Sequence, residues 1–183
     1  MIISGNSIAK EVERGNIVIS DFDISRLNPN SYNVRLADEI LVYENALLDM
    51  KYEQPYEIKR IPERGFTLIP GRIYLARTME YTETTGFVPM LEGRSSIGRL
   101  GIFIHATAGF GDNGFKGYWT LELSTVQPAV IYPEVEIAQL YFHTILDDDD
   151  EEGLKHCPMT YVNGKYQNNK GIQPSMIWKE FEK

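Results

Sequence analysis

Residues 118–124 read YWTLELS, and in this stretch apolar and polar side chains alternate. Successive side chains of a β-strand point to opposite faces, so the tryptophan and both leucines are predicted to share one face. Thr120 and Glu122 then share the other face. Apolar residues confined to one face indicate a strand packed on a core. The pattern therefore predicts that Glu122 points away from the core, either into solvent or into a pocket.

Short runs of similar composition continue on both sides of this strand. They are rich in Val, Ile, Tyr, Phe and Thr and are separated by Gly, Pro, Asn and Asp, namely NIVIS, SYNVRLA, EILVY, FTLIP, IYLART, FVPML, IFIHAT, AVIYP and IAQLYFHT. Many short strands with regular turn signals predict a mainly β sandwich or barrel with helix at its margins. A short helix is expected over residues 6–14, with Asn6 or Ser7 as its N-cap and Gly15 as its stop.

The composition limits the organisation of the chain and its partners. At 183 residues the chain suits one domain, and no run approaches the roughly 18 apolar residues of a membrane span. The start of the sequence lacks an export signal, and Cys157 is the only cysteine, so an internal disulfide is excluded. We expect a cytoplasmic protein with no membrane partner. The net charge of -8 argues against nucleic acid but is compatible with a small triphosphate held by a few local arginines.

Arg94, Ser95, Ser96 and Arg99 lie close together in the segment GRSSIGR. Guanidinium groups match phosphate oxygens in charge and geometry, so this set predicts a polyphosphate site. The same segment could instead be a turn that enters a short helix, with Ser95 or Ser96 as its N-cap. The two interpretations are compatible, because helix N-termini offer free N–H groups to phosphates.

Carboxylates are the candidate bases. Asp112 lies in GFGDNGF, where a turn role is the alternative, and Glu122 has an exposed surface position as its alternative. His105 is interpreted as a structural histidine, and the acidic run 147–152 as a solvated loop. The zinc pattern of nucleobase deaminases, H-x-E with P-C-x-x-C, is missing. If water attacks a nucleobase here, a carboxylate must activate it.

Several motifs in order carry a family resemblance. They are GRSSIGRLG, HATAGF, D-x-G-F-x-G and T-L-E between residues 93 and 122, with weaker matches at SYNVRLA and YVNGKYQNNKGIQPS. Through them the chain resembles the dCTP deaminases of the trimeric dUTPase-like superfamily. The resemblance implies a single distorted jelly-roll-like β-barrel over residues 1–183, assembled as a homotrimer with active sites at subunit boundaries. It also implies a C-terminal tail, from about residue 158 to 183, that closes over the site.

The resemblance assigns catalytic roles. Glu122 would be the general base that takes a proton from the water attacking C4 of cytosine and passes protons to departing ammonia. Arg99 and Ser95 would orient the base, the water and the phosphates. Arg94 and Ser96 would hold the triphosphate, whose Mg²⁺ arrives with the substrate; no protein metal ligand and no zinc are expected.

The resemblance also assigns binding roles. Asp112 would contact the deoxyribose 3′-hydroxyl, and the backbone around Thr107 and Ala108 would read the pyrimidine edge. In the tail, the family's phosphate contacts fall on Tyr161, Lys165, Gln167 and Asn169. The segment before Asp112 departs from the family, because Gly111 replaces a bulky aliphatic residue. Asn113 replaces a proline or alanine, and a looser loop is expected there.

The product and the alternatives stay open at this level. The main expectation is deamination of dCTP to dUTP, while HATAGF is more similar to the members that go on to dUMP and diphosphate. A dUTPase in which Asp112 activates water is a second hypothesis, and a non-catalytic nucleotide-sensing module is a third. Feedback inhibition by dTTP is typical of the family and is expected here without an assigned residue.

Overall fold

A computed structural model describes residues 1–146 and 164–182 and contains a mainly β protein, as the sequence predicts. Tyr161, Cys157 and the acidic run 147–152 lie outside the described residues. The described part has helices α1 (Gly5–Arg14) and α2 (Ser95–Gly98) and strands β1 (Ile17–Ile19), β2 (Tyr32–Tyr43), β3 (Tyr56–Arg60), β4 (Phe66–Leu68), β5 (Tyr74–Thr84), β6 (Phe87–Gly93), β7 (Ile102–Phe103), β8 (Lys116–Thr125), β9 (Ala129–Ile131) and β10 (Glu136–Thr144). Two 3-10 turns cover Ile24–Arg26 and Ile177–Glu180.

The strands form one eight-stranded antiparallel sheet and a small two-stranded sheet. The order in the large sheet is β6-β10-β2-β5-β8-β7, with β1 added to β5 and β3 added to β2, while β4 pairs with β9. Residues that follow β7 return to the opposite end of this order. The Leu91 N–H donates to Gly109 O at 2.7 Å, and Met90 and Phe110 form an isolated bridge. The large sheet is therefore a nearly closed barrel.

The boundaries differ from the sequence expectation where tertiary pairing extends or shortens a strand. SYNVRLA and EILVY join into the 12-residue β2, and the unpredicted β3 is exposed at all five positions and has no apolar alternation to reveal it. β7 ends at Phe103, so His105 does not lie on a strand. Helix α1 begins earlier than expected, because Ser4 is its N-cap and accepts the Ser7 N–H at 3.2 Å. Gly15 ends α1 at φ 77°, as predicted.

The core lies inside the barrel and follows the predicted alternation of β8. Trp119, Leu121 and Leu123 are buried, while Glu122 is half-buried on the other face. Ile8 of α1 is fully buried in the same cluster. The sequence pattern therefore placed the two faces of β8 correctly.

A β-bulge in β5 lies opposite Trp119. Arg77 pairs with Thr120 and Tyr81 with Tyr118, so residues 78–80 oppose the single residue Trp119. The Thr78 hydroxyl closes the gap by accepting the Trp119 N–H at 3.1 Å. The bulge brings Arg77 beside the ring of Tyr118 on the outer face of the sheet.

Glu80 occupies the bulge and is fully buried. Its carboxylate accepts hydrogen bonds from Arg26 Nη1 at 2.6 Å, from Arg35 Nε at 2.7 Å and from the Arg35 N–H at 2.8 Å. A buried charge needs this degree of pairing. The cluster ties the 3-10 turn at Ile24–Arg26 to β2 and β5.

The C-terminal segment, residues 164–182, lies across the outer face of β2, β5 and β8. Ile172 is buried against Leu41, Tyr43 and Leu75, which form a second, small apolar cluster. The Ser175 N–H donates to the Tyr43 hydroxyl at 3.0 Å. Among residues 1–146 and 164–182, no helix has the length and apolar character of a membrane span.

Candidate active site

A cavity of about 410 Å³ lies between the outer face of β8, the loop that follows β7 and the C-terminal segment. Four of the sequence-predicted site residues line it: Glu122, Asp112, Ala108 and Asn169. The volume falls within the range of small-molecule sites. We call it the Glu122 cavity.

Glu122 is fixed by the loop opposite its strand. Its Oε2 accepts the Ala106 N–H at 2.8 Å, and its own N–H donates to Ile104 O at 2.9 Å. A carboxylate held by a backbone donor has a defined direction, and the other oxygen accepts no hydrogen bond from the part of the chain described. The next loop residues, Thr107 and Ala108, are exposed beside it. Glu122 can therefore contact a reacting water and a nucleobase that is bound to this loop.

The loop from residue 106 to 113 is held tightly. A Cβ at Gly111 would lie 2.6 Å from Trp119 Cη2 and 2.9 Å from Pro89 Cγ, so only glycine lets the loop approach the core this closely. Asn113 is buried, and its Oδ1 accepts the Gly86 N–H at 2.8 Å. These contacts fix the position of the loop, and its expected looseness stays a prediction. Asp112 itself is exposed at the cavity wall, and its carbonyl accepts the Phe115 N–H at 3.1 Å.

The Arg94–Arg99 cluster, which consists of Arg94, Ser95, Ser96 and Arg99, lies on and around α2. Neither serine is the N-cap, contrary to one expectation: that position belongs to Arg94, which makes no side-chain cap. Arg94 Nη1 instead contacts the Oε2 and the carbonyl of Glu136, each at 3.0 Å. Both serines and Arg99 are exposed. Within the described chain none of the four lines the Glu122 cavity, and their phosphate role remains a prediction.

The tail residues contact the early part of β8. Asn169 Oδ1 accepts the Tyr118 N–H at 3.0 Å, and its Nδ2 donates to Tyr118 O at 3.0 Å. Gln167 acts similarly, because its Oε1 accepts the Lys116 N–H at 3.0 Å. Side-chain amides thus replace a strand partner along this edge. Lys165 Nζ pairs with the Glu180 carboxylate, and the predicted phosphate contacts of all three tail residues remain untested.

Aromatic residues that the sequence analysis did not single out complete the cavity. Phe110, Tyr118, Tyr166 and Tyr43 line it, and burial raises the pKa of the Tyr43 hydroxyl. Tyr118 could have been found from the sequence, because it is four residues before Glu122 on the same strand face. Tyr43 and Tyr166 could not, since chain segments distant in sequence bring them there.

The described part of the chain has no candidate metal site, and its histidine nearest to Glu122 in sequence lies outside the cavity. Residues 1–146 and 164–182 contain no group of three His, Cys, Asp or Glu side chains arranged to hold a metal. His105 contacts Glu92, with 3.3 Å between Nε2 and Oε2. It does not line the Glu122 cavity.

Comparison with known proteins identifies the family of the chain. A dCTP deaminase-like family model matches residues 2–145. Two curated relatives are named "dCTP deaminase, dUMP-forming": one from Clostridium beijerinckii is 56% identical over 183 residues and covers 100% of both chains. The other, from Leptospira biflexa, is 51% identical over 183 residues and covers 100% of this chain and 99% of its own.

A solved structure supports the fold. The 2′-deoxycytidine 5′-triphosphate deaminase from Agrobacterium tumefaciens superposes with a TM-score of 0.64 at 19% identity, over 79% of this chain and 48% of that chain. At this identity the likeness concerns the fold alone. It confirms the barrel expected from the family resemblance. With a family match across most of its length and relatives that align from end to end, the chain belongs to the dCTP deaminase-like family.

Proposed function

We propose that the protein converts dCTP to dUMP, ammonia and diphosphate, with Glu122 as the general base of the deamination step. The position of Glu122 carries the proposal. It is a half-buried carboxylate, anchored by the Ala106 N–H at 2.8 Å, in a cavity that also holds Ala108 and Asp112. A surface glutamate would need neither the anchor nor the cavity.

In the proposed reaction, Glu122 takes a proton from water as the water oxygen bonds to C4 of cytosine. The C4–N bond then breaks, and protons that Glu122 returns let the amino group leave as ammonia. General acid–base assistance of this kind contributes about 10²–10⁴ in rate. The exposed backbone at Thr107 and Ala108 is suited to hydrogen-bond the pyrimidine edge, and Asp112 to accept from the 3′-hydroxyl.

The two halves of the predicted site are not found together in the Glu122 cavity of one chain. Ser95, Ser96 and Arg99 are exposed, and the Glu122 cavity of the same chain contains none of the cluster. We infer a homotrimer in which the Arg94–Arg99 cluster of one protomer completes the Glu122 cavity of its neighbour. A cyclic assembly repeats one such contact at every boundary. Arg99 and Ser95 would then orient the base and water, and Arg94 and Ser96 would bind phosphates.

The phosphate end of the substrate would bring Mg²⁺ with it, since Mg²⁺ is commonly held by substrate phosphates and few protein groups. Lys165 and the neighbouring tail residues are suited to contact that end. Binding of dTTP in the same cavity is the simplest route to feedback inhibition, because it shares the triphosphate and the deoxyribose. Competition between dTTP and dCTP would test this extension.

The product is the part on which the relatives bear most directly. The names of these relatives favour dUMP, and HATAGF at residues 105–110 agrees. Incubation of the purified protein with dCTP and, separately, with dUTP, each with Mg²⁺ and followed by chromatography, decides the matter. We expect dUMP and diphosphate. Accumulation of dUTP would limit the enzyme to deamination, unchanged dCTP with cleaved dUTP would indicate a dUTPase, and two unchanged nucleotides would indicate a binding module.

Mixing two inactive variants tests whether protomers share a site. Glu122→Gln lacks the base and Arg99→Ala lacks the orienting cation, so each homotrimer should be inactive. After unfolding and refolding together in equal amounts, roughly a quarter of the boundaries would combine an intact Glu122 with an intact Arg99. Recovery of deaminase activity supports the shared site. No recovery in a mixture shown to contain heterotrimers would contradict it.

A further inference from the structure

Tyr118 shares the outer face of β8 with the proposed base. Tyr118, Thr120 and Glu122 alternate with buried residues and all line the Glu122 cavity. At about 3.3 Å per residue, Tyr118 lies roughly 13 Å along the strand from Glu122. With cytosine at Glu122, an extended nucleoside triphosphate directed along β8 would bring its phosphates toward Tyr118. The tail residues that contact residues 116–118 lie at the same end.

The main chain of Tyr118 is fixed at both polar groups. Its N–H and its carbonyl are both bonded to the side chain of Asn169, each at 3.0 Å. The ring meets Tyr81 edge-on, with centroids 5.6 Å apart. The ring therefore has a defined position and forms a rigid wall of the cavity.

A cation lies against this ring. Arg77 Cζ is 4.7 Å from the ring centroid of Tyr118, within the range of a cation–π contact. Arg77 lines an adjoining cavity of about 730 Å³, and Tyr118 lines both cavities and separates them. The Nε of Arg77 is buried and has no hydrogen-bond partner in the described chain; Glu39 Oε2 is 3.8 Å away. Arg77 Nη1 donates to Thr78 O at 3.0 Å, and the contact with the ring is the other main interaction of this guanidinium.

Among the described residues, the Tyr118 hydroxyl lacks the hydrogen bond that several other tyrosine hydroxyls of the protein make. Those of Tyr43, Tyr81 and Tyr166 bond to the Ser175 N–H, the Glu83 carboxylate and the Met176 N–H, respectively. In the part of the chain that the structure describes, the Tyr118 hydroxyl has no such partner, although its residue is half-buried at the cavity. A phenol hydroxyl is a good hydrogen-bond donor to an anion.

We propose that the Tyr118 hydroxyl donates a hydrogen bond to the phosphates of the substrate, and that Arg77 is a positioning residue that holds the ring. This inference rests on the proposed function, which places a nucleoside triphosphate in the Glu122 cavity. Tyr118, a residue of strand β8, then supplies a further hydrogen-bond donor to the phosphates of the substrate. It would supplement the phosphate contacts predicted for the tail and for the Arg94–Arg99 cluster.

Tyr118→Phe removes only the hydroxyl, and Tyr81→Phe is its matched control, because Tyr81 is in the same ring pair but lines neither cavity. Binding of dCTP with Mg²⁺ and of deoxycytidine is measured by calorimetry for each variant. We expect Tyr118→Phe to weaken dCTP binding about tenfold, as loss of a bond to a charged acceptor predicts. Deoxycytidine binding should not change, and Tyr81→Phe should alter neither.

Arg77 is tested in the same assay. Arg77→Met should weaken dCTP binding selectively, and Arg77→Lys should restore part of it because a lysine cation also contacts rings. Unchanged dCTP binding in Tyr118→Phe, or equal weakening for dCTP and deoxycytidine, would overturn the proposal. A wild-type protein that binds dCTP without deaminating it would refute the proposed function alone, because these comparisons need no turnover.

Discussion

Replacement of Glu122 by glutamine separates proton transfer from binding. The glutamine carbonyl oxygen can still accept the Ala106 N–H, which lies 2.8 Å from the native carboxylate, so the side chain should keep its direction. An amide cannot take a proton from water at neutral pH. We expect kcat to fall by about 10²–10⁴, the usual contribution of a general base. At about 1.36 kcal/mol per decade this is roughly 2.7–5.4 kcal/mol of transition-state stabilisation.

The assay is steady-state deamination of dCTP with ammonia as the readout, together with calorimetric binding of dCTP to the same samples. Binding by Glu122→Gln should stay within about threefold of wild type, because a single neutral hydrogen bond contributes little net free energy. Glu57→Gln is the control: Glu57 is a strand glutamate paired with Lys59 at 2.9 Å, and it lies outside the cavity. A Glu122→Gln enzyme with kcat within about tenfold of wild type would refute general-base catalysis by this residue.

Three further predictions concern stability. Glu80→Gln should lower the free energy of unfolding in urea by about 3–5 kcal/mol, because two guanidinium groups lose their buried anion. Gly111→Ala should lower it by about 1–3 kcal/mol, since the added Cβ would lie 2.6 Å from Trp119 Cη2. The hydrogen bond from Lys116 holds the pKa of Glu83 below its usual 4.5, so its stabilisation is present above that pH and is lost as pH falls through the folded-state pKa. Urea titrations between about pH 5 and pH 3 should therefore show a smaller loss of stability in Glu83→Gln than in wild type.

Specific outcomes would contradict these expectations. A Glu80→Gln protein as stable as wild type would mean that the buried arginines find other partners. For Gly111→Ala the control is Gly98→Ala, where an added Cβ meets nothing within 4 Å; equal effects of the two would exclude the proposed clash. If the free energy of unfolding of wild type and of Glu83→Gln changed with pH in the same way, the proposed contribution of the Glu83–Lys116 pair would be contradicted.

Much of the fold could be predicted, because a strand buried on one face has an apolar residue at every second position. The alternation in β8 identified its core face and placed Glu122 on the other. β3 left no such signal, because all of its residues are exposed. The bulge opposite Trp119 was also invisible, since it depends on register between strands about forty residues apart.

The site was predicted in part. Motif resemblance selected Glu122, Asp112, Ala108 and Asn169, and the structure brings these four to one cavity. The hydrogen bond that Asn113 accepts from the Gly86 N–H was not foreseen, because local turn chemistry does not predict it. The contact of Arg77 with the ring of Tyr118 was also not predictable from the sequence, because it depends on the bulge and not on any motif.

The side-chain amides of Gln167 and Asn169 have a consequence for the folding and aggregation of the enzyme. They pair with the main chain of residues 116–118, a strand edge that could otherwise form β-sheet hydrogen bonds with another polypeptide. Until residues 167 and 169 have been synthesised and have folded onto β8, these main-chain groups stay uncovered. Proteolytic removal of residues 164–182 would uncover the same groups, and we expect it to promote aggregation.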